Sequence, residues 1–232
     1  SITNPQTYLN SNIIGFFNIL EICKQKKVKF LYFASTSSVY GDNKNLPYDE
    51  KLEISKPLQF YAATKVSNEV MAFSYSNIYK IKTRALRFFT VYGPYGRPDM
   101  AIHGFVKKIL SNKAINIFNK GNHTRDFTYI EDVTKSIYLL IKKENTINKP
   151  KLFDVFNLGN QKNINIKYLV KVLSKILDKK IKIQYSELKK GDMKDTLSNS
   201  NKIIKYINYK PNTNIEDGLT KFIQWYKKYY KN

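Results

Sequence analysis

One cysteine, two histidines and four arginines are all that 232 residues supply of those types. Cys23 has no partner for an internal disulfide, and one thiol with two imidazoles cannot assemble a structural zinc site. No metal is therefore expected. No run of about eighteen apolar residues is present, so no segment is predicted to span a membrane. No basic-then-apolar leader opens the sequence, which gives no sign of export. A cytoplasmic protein without a membrane partner is the resulting expectation.

Acid is scarce too: 18 Asp and Glu stand against 40 Lys and Arg, a formal net charge of +22. Nucleic-acid binding would call for a clustered basic patch. Here the lysines are spread along the whole length, so no nucleic-acid partner is expected. Arg84, Arg87, Arg97 and Arg125 stand out against that lysine background. What the chain does have is 42% hydrophobic and 14% aromatic residues, enough for a packed core. The length suits one large domain or two small ones.

Segment 1–27 keeps apolar residues at helical spacing through Leu9, Ile13 and Leu20. "KFLYFAST" (Lys29 to Thr36) reads as a buried parallel strand that ends in small hydroxyl residues. Pro47 and Pro57 mark the loop 42–60. A helix is predicted from about Tyr61 to Tyr79, followed by the strand "TRALRFFTVYG". The turn-rich "GPYGRPD" (Gly93 to Asp99) is the best candidate for a domain edge. Helix 102–112, strand "INIF", loop "NKGNHTRDFTYIED", helix 131–143 and strand "FDVFNLG" come next. Helix 165–178, strand 180–186 and a last helix opened by a capping box at "TNIE" (Thr213 to Glu216) complete the pattern. Alternating strands and helices predict a parallel sheet covered on both faces, with ligands beyond the strands' carboxyl ends.

Two short stretches carry the chemistry. "FASTSSVYG" (Phe33 to Gly41) places Ser35, Thr36 and Ser37 at such a strand end. "YAATK" (Tyr61 to Lys65) puts a phenol and an ammonium at i and i+4, on one helix face. A free tyrosine titrates near ~10 and is a poor base at neutral pH. A neighbouring ammonium would lower that value, and a hydroxyl such as Thr36 would orient the same oxygen. Such a group can take a proton from a sugar hydroxyl and return it.

"SITNPQTYLNSNIIGFFNILE", "FASTSSVYG", "YAATK", "LRFFTVYGPYGRPDMA", "RDFTYIEDV" and "GDMKDT" together resemble the extended short-chain dehydrogenase/reductases. In order and spacing they are most similar to the NAD-dependent nucleotide-sugar epimerases and dehydratases, and among these to UDP-glucuronate 4-epimerases. The resemblance spans almost the whole chain. It implies a Rossmann-type doubly wound α/β sheet lacking its first strands, with a smaller C-terminal α/β substrate domain. Residues 1–91 and about 125–158 would form the remainder of the NAD-binding domain. About 92–124 and 159–232 would bind the nucleotide sugar.

By the same resemblance Tyr61 is the catalytic base, Lys65 its modulator and Thr36 the catalytic hydroxyl. Asn12, Ser35, Thr36, Tyr61, Lys65 and Phe89 would lie against NAD, Phe89 through its backbone. Ser37, Thr90 and Arg97 join Thr36 and Tyr61 around the sugar, Arg97 offering a fork suited to oxyanions. Phe118 would lie against uracil, Arg125 would clamp the diphosphate, and Asp192 would hold the ribose hydroxyls. Lys189 occupies a position that varies among relatives. A homodimer through helices 1–27 and 61–80 is also implied.

The family's Gly-x-x-Gly-x-x-Gly loop, which cradles the cofactor pyrophosphate, is formed by none of the nine glycines. The sequence is accordingly expected to be an N-terminally truncated fragment that holds NAD weakly on its own. Ser37 and Ser38 stand where a 4,6-dehydratase carries an acid pair, and Thr90 where a UDP-galactose 4-epimerase usually carries Asn. A UDP-glucuronate decarboxylase shares the 4-keto intermediate. An inactive relic and a lysine-rich polyanion binder are the readings from outside enzymes.

Overall fold

The structure, a computed structural model, describes residues 1–187, 191 and 193–231. Helix α1 (Pro5–Tyr8) runs through a π-helical stretch (Leu9–Ile14) into α2 (Gly15–Gln25). Strand β1 (Phe30–Thr36) follows, then α3 (Phe60–Tyr79), β2 (Lys82–Phe88) and the short β3 (Thr90–Tyr92). Next come α4 (Ala101–Leu110), β4 (Ile115–Phe118), β5 (Thr124–Tyr129), α5 (Ile130–Glu144) and β6 (Phe153–Leu158). The chain closes with β7 (Asn163–Asn165), α6 (Ile166–Leu177), β8 (Ile183–Ser186), α7 (Asn201–Ile207) and α8 (Ile215–Tyr230).

The expected parallel sheet is present as β1-β2-β6, in register from Phe30 opposite Lys82 to Thr36 opposite Phe88. Leu20 of α2 and Ala72 of α3 pack with Phe33 and Ala85 on one face of this sheet. On the other face Leu86, Phe156 and Leu158 meet Val133 and Leu140 of α5 and Ile203 of α7. The strands are therefore buried on both sides, which is why they read as nearly continuous apolar runs. Each fully buried Leu or Phe contributes roughly 1.5–3 kcal/mol. A separate core joins Tyr92, Phe127 and Tyr129 to α4, α6 and α8, around β3-β5-β7 and β4-β8.

Four local readings are corrected. "HTRDFTY" is not loop: Thr124–Tyr129 is strand β5, paired parallel with β3 and antiparallel with β7. Its polar Asp126 is buried because Asn160 N, Gln161 N, Ser198 N and Ser198 Oγ all donate to it. The strand after α3 breaks at Phe89, so that β2 and β3 enter different sheets. Helix α7 lay unrecognised in a polar stretch. The last helix is capped by Asn214, whose side chain accepts from Asp217 N at 2.8 Å, not by a Thr213–Glu216 box.

Candidate active site

Strand β1 delivers Thr36 to its carboxyl end. There the Thr36 hydroxyl caps a single 3-10 turn (Ser37–Tyr40), accepting from Ser38 N at 3.2 Å. Gly41 ends that turn with φ +59°, and an added Cβ would meet the Lys56 carbonyl oxygen at 1.9 Å. Only glycine fits the last position of "FASTSSVYG", which is how the nonapeptide folds back toward α3.

Helix α3 brings Tyr61 against this turn, with the Thr36 hydroxyl near enough to the Tyr61 phenol to pull its pKa down; Thr36 Oγ1 itself donates to Ser38 Oγ at 3.3 Å. The Tyr8 ring meets the Tyr61 ring edge-on, 5.9 Å between centroids. One turn along, Lys65 Nζ donates to the Ala34 carbonyl at 3.0 Å. The three expected catalytic residues thus gather at one strand end.

Their electrostatics differ from the sequence expectation. Burial holds the Tyr61 phenol above its ordinary pKa, while the nearby Thr36 hydroxyl and the Arg97 charge pull it down. Burial also lowers the Lys65 ammonium. Among the described residues, Thr36 and Arg97 are those that favour the phenolate.

Asn12 sits in the π-helical stretch and bonds outward rather than locally. Its Nδ2 donates to Thr64 Oγ1 at 2.9 Å, and its carbonyl accepts from Asn68 Nδ2 at 2.6 Å. Thr64 Oγ1 in turn donates to the Tyr61 carbonyl at 2.7 Å. The bulge is thereby stitched to the helix that carries Tyr61 and Lys65, a placement common for π-bulges near functional sites.

Ser35 is 3% exposed and donates to Glu69 Oε1 at 2.5 Å. Glu69 also forms a two-pronged ion pair with Arg87 (3.0 and 2.7 Å). The Ser35 side chain is committed to this buried network, which leaves its backbone as the part able to face a cofactor. The Phe89 ring is likewise buried, with Val39, Tyr40 and Tyr48. Ser37 is buried within the turn.

Thr90 and Arg97 line one small, largely apolar cleft of about 60 Å³, with Met100, His103, Phe127 and Phe222. The Arg97 fork is engaged by Asp99, at 3.1 Å from Nε and 2.6 Å from a terminal nitrogen. This pair is exposed. Arg125 donates to the carbonyls of Thr124 (2.8 Å), Met193 (2.6 Å) and Lys194 (2.8 Å), and so braces the 193–195 segment against β5. Phe118 is half-buried at the end of β4. Lys189 and Asp192 lie outside the described residues.

Sequence reasoning missed Tyr8, Ser38, Asn68 and Glu69. Tyr8 and Asn68 act across separate elements, where spacing carries no signal, whereas Ser38 acts within the turn that Thr36 caps. Glu69 reads as an exposed helix residue until Arg87 is placed beside it. Among the described residues no group of acids, histidines or cysteines could hold a metal ion, and no helix is long and apolar enough to cross a membrane.

Comparison with known proteins gives a consistent result. Residues 1–159 match the NAD dependent epimerase/dehydratase family. Protein CapI of Staphylococcus aureus is 43% identical over 243 aligned positions, covering all of this chain and 73% of the relative. UDP-glucuronate 4-epimerase of Thermodesulfobacterium geofontis is 40% identical, covering 98% and 68%. The crystal structure of UDP-glucuronic acid 4-epimerase from Bacillus cereus, in complex with UDP-glucuronic acid and NAD, superimposes with a TM-score of 0.90. It is 33% identical, over 97% of this chain and 70% of that one.

Proposed function

The chain belongs to the NAD dependent epimerase/dehydratase family, and from that premise we propose that it epimerises a UDP-sugar at C4. UDP-glucuronate to UDP-galacturonate is the reaction the site supports best. The observation that carries the proposal is the gathering of Thr36, Tyr61 and Lys65 at the end of β1, with Thr36 and Arg97 near enough to act on the Tyr61 phenol. Two relatives whose names state UDP-glucuronate 4-epimerase activity support the choice of substrate.

The residues present fit the nicotinamide end of NAD. Lys65 lies at the end of β1, where its ammonium already seeks an oxygen acceptor, as a ribose hydroxyl would offer. The Phe89 backbone passes the adjoining end of β2, bonding to Leu158. Asn12 fixes the helix that presents Tyr61 and Lys65. When bound, NAD supplies a reversible hydride acceptor.

The protein's own part is proton transfer and positioning. Tyr61 takes the proton of the C4 hydroxyl as the C4 hydrogen leaves with its electron pair, giving a 4-keto sugar. The sugar turns over in the site, the hydride returns to its opposite face, and Tyr61 gives the proton back. Thr36 keeps the phenol oxygen on target and offsets part of the burial that disfavours its ionisation. Holding reacting atoms in line is itself a large share of such a rate.

Thr90 and Arg97 would contact the sugar, with Ser37 beside them. Arg125, Phe118, Lys189 and Asp192 would serve the UDP moiety. The division into an NAD-binding part (1–91 and about 125–158) and a sugar-binding part (about 92–124 and 159–232) belongs to the same proposal. So does a homodimer: Phe17 and Ile22 on α2, with Val70, Phe73 and Ile78 on α3, are large apolar residues left exposed. A cytoplasmic setting follows from the use of NAD and a nucleotide sugar.

The test is to incubate the protein, expressed from its complete reading frame, with NAD and UDP-glucuronate and follow products by NMR. UDP-galacturonate is expected. A UDP-pentose with released carbon dioxide would assign a decarboxylase instead.

A further inference from the structure

The turn that carries Arg97 is built in an unusual way. Gly96 N bonds back to Gly93 O at 3.2 Å, with Pro94 and Tyr95 in the two central positions. Tyr95 has φ +59°, at a site where such a turn ordinarily takes Gly or Asn. A bulky residue is rarely found in that backbone region.

Tyr95 is also 78% exposed, so burial of its own surface does not hold it there. What does hold it is α8. The Tyr95 ring packs against Trp225 at 5.1 Å and Tyr229 at 5.9 Å, and those two rings stack on each other at 5.1 Å. One turn back on α8, Phe222 lines the same cleft as Thr90 and Arg97. Arg97 itself follows Tyr95 by two residues and lies close enough to Tyr61 to lower its pKa.

We propose that Tyr95 is a positioning residue, through which Trp225 and Tyr229 of the last helix fix the Arg97 turn and set the preference for a uronate over a neutral sugar. The proposal rests on the reading of Arg97 as a sugar contact, and takes the group its fork engages to be the substrate carboxylate. In the unliganded protein Asp99 occupies the Arg97 fork. A substrate carboxylate must take its place, and the turn can make that exchange without wandering only if something outside it is rigid. The Trp225–Tyr229 stack is that anchor. A planar fork tolerates little misplacement, because both hydrogen bonds depend on one orientation.

Trp225 is the single tryptophan of these 232 residues, and its ring also packs against Phe222, Tyr226 and Tyr230. Its fluorescence therefore reports on this aromatic cluster, in which Tyr95 is the contact from the Arg97 turn. The protein from the complete reading frame is titrated with UDP-glucuronate and with UDP-glucose, and KM is measured for both. Saturable change of Trp225 emission with UDP-glucuronate is expected in the wild type and in Tyr95→Phe. In Tyr95→Gly that change is expected to vanish. The KM for UDP-glucuronate should rise about tenfold, as for a reacting group misplaced by a fraction of an ångström, with the KM for UDP-glucose within about twofold. Glycine suits the turn's backbone, so this variant removes the ring without straining the fold. Tyr229→Ala, on the exposed flank of the same stack, provides a second variant with the same expected direction.

Arg97→Gln separates the two ideas. If it abolishes the uronate preference while Tyr95→Gly and Tyr229→Ala leave both preference and emission unchanged, the positioning role is wrong and the Arg97 reading stands. If Arg97→Gln also leaves the preference unchanged, the Arg97 reading is wrong and the positioning role falls with it.

Discussion

The Thr36 hydroxyl lies beside the Tyr61 phenol at the end of β1, near enough to pull its pKa down. That contact turns two separate sequence stretches into one site. Thr36 is fixed by its own capping of the turn beneath it, so the phenol oxygen has a stationary partner before substrate arrives.

Tyr61→Phe removes the phenol proposed to exchange the C4 proton. Turnover should fall about 10²–10⁴-fold, while UDP-glucuronate binding by calorimetry stays within a few-fold of the wild type. Turnover preserved within tenfold would assign the base elsewhere.

The pH profile carries a signed prediction. Burial raises the Tyr61 pKa, and Thr36 and Arg97 lower it. Activity that requires the phenolate therefore rises with pH. Thr36→Ala removes one lowering influence, so the rise in kcat/KM must move to higher pH. A limb that stays in place, or moves to lower pH, contradicts the assigned role.

Arg97→Gln should weaken the uronate selectively. A hydrogen bond to a charged group is worth about 1.5–3 kcal/mol, so kcat/KM for UDP-glucuronate should fall at least about tenfold. A neutral UDP-hexose should lose less. The basic shift of the pH limb should appear here too, because the Arg97 charge also lowers Tyr61.

Glu69 is buried against Arg87 (2.7 Å), and losing one partner strands the other charge. Glu69→Ala should cost about 3–5 kcal/mol in denaturant unfolding. Lys24→Ala, which breaks the surface pair with Glu21 and keeps the Tyr75–Glu21 hydrogen bond, should leave the midpoint nearly unmoved.

Much of this was legible in the sequence where local chemistry decides the outcome. Strands β1, β2 and β6 are apolar runs because both faces of their sheet are covered. Tyr61 and Lys65 share a helix face by spacing alone, and Thr36 ends a strand. Strand β5 was not legible: Asp126, Thr124 and Arg125 make it look like loop, and only the donors converging on Asp126 from 160, 161 and 198 explain its burial. Helix α7 is hidden in a polar stretch for a similar reason. The Tyr61 pKa was misjudged because charge was weighed and burial was not. Tyr8 and the Tyr95–Trp225 contact depend on elements far apart in the chain, which no local pattern announces.

One measurement bears most directly on the proton-and-hydride cycle. UDP-glucuronate carrying deuterium at C4 is converted by the protein in ordinary water with NAD, and the UDP-galacturonate formed is examined by NMR and mass spectrometry. The account predicts that deuterium stays at C4 with inverted configuration, because the hydrogen leaves and returns without meeting solvent. An epimer with protium at C4, or no epimer at all, would contradict it.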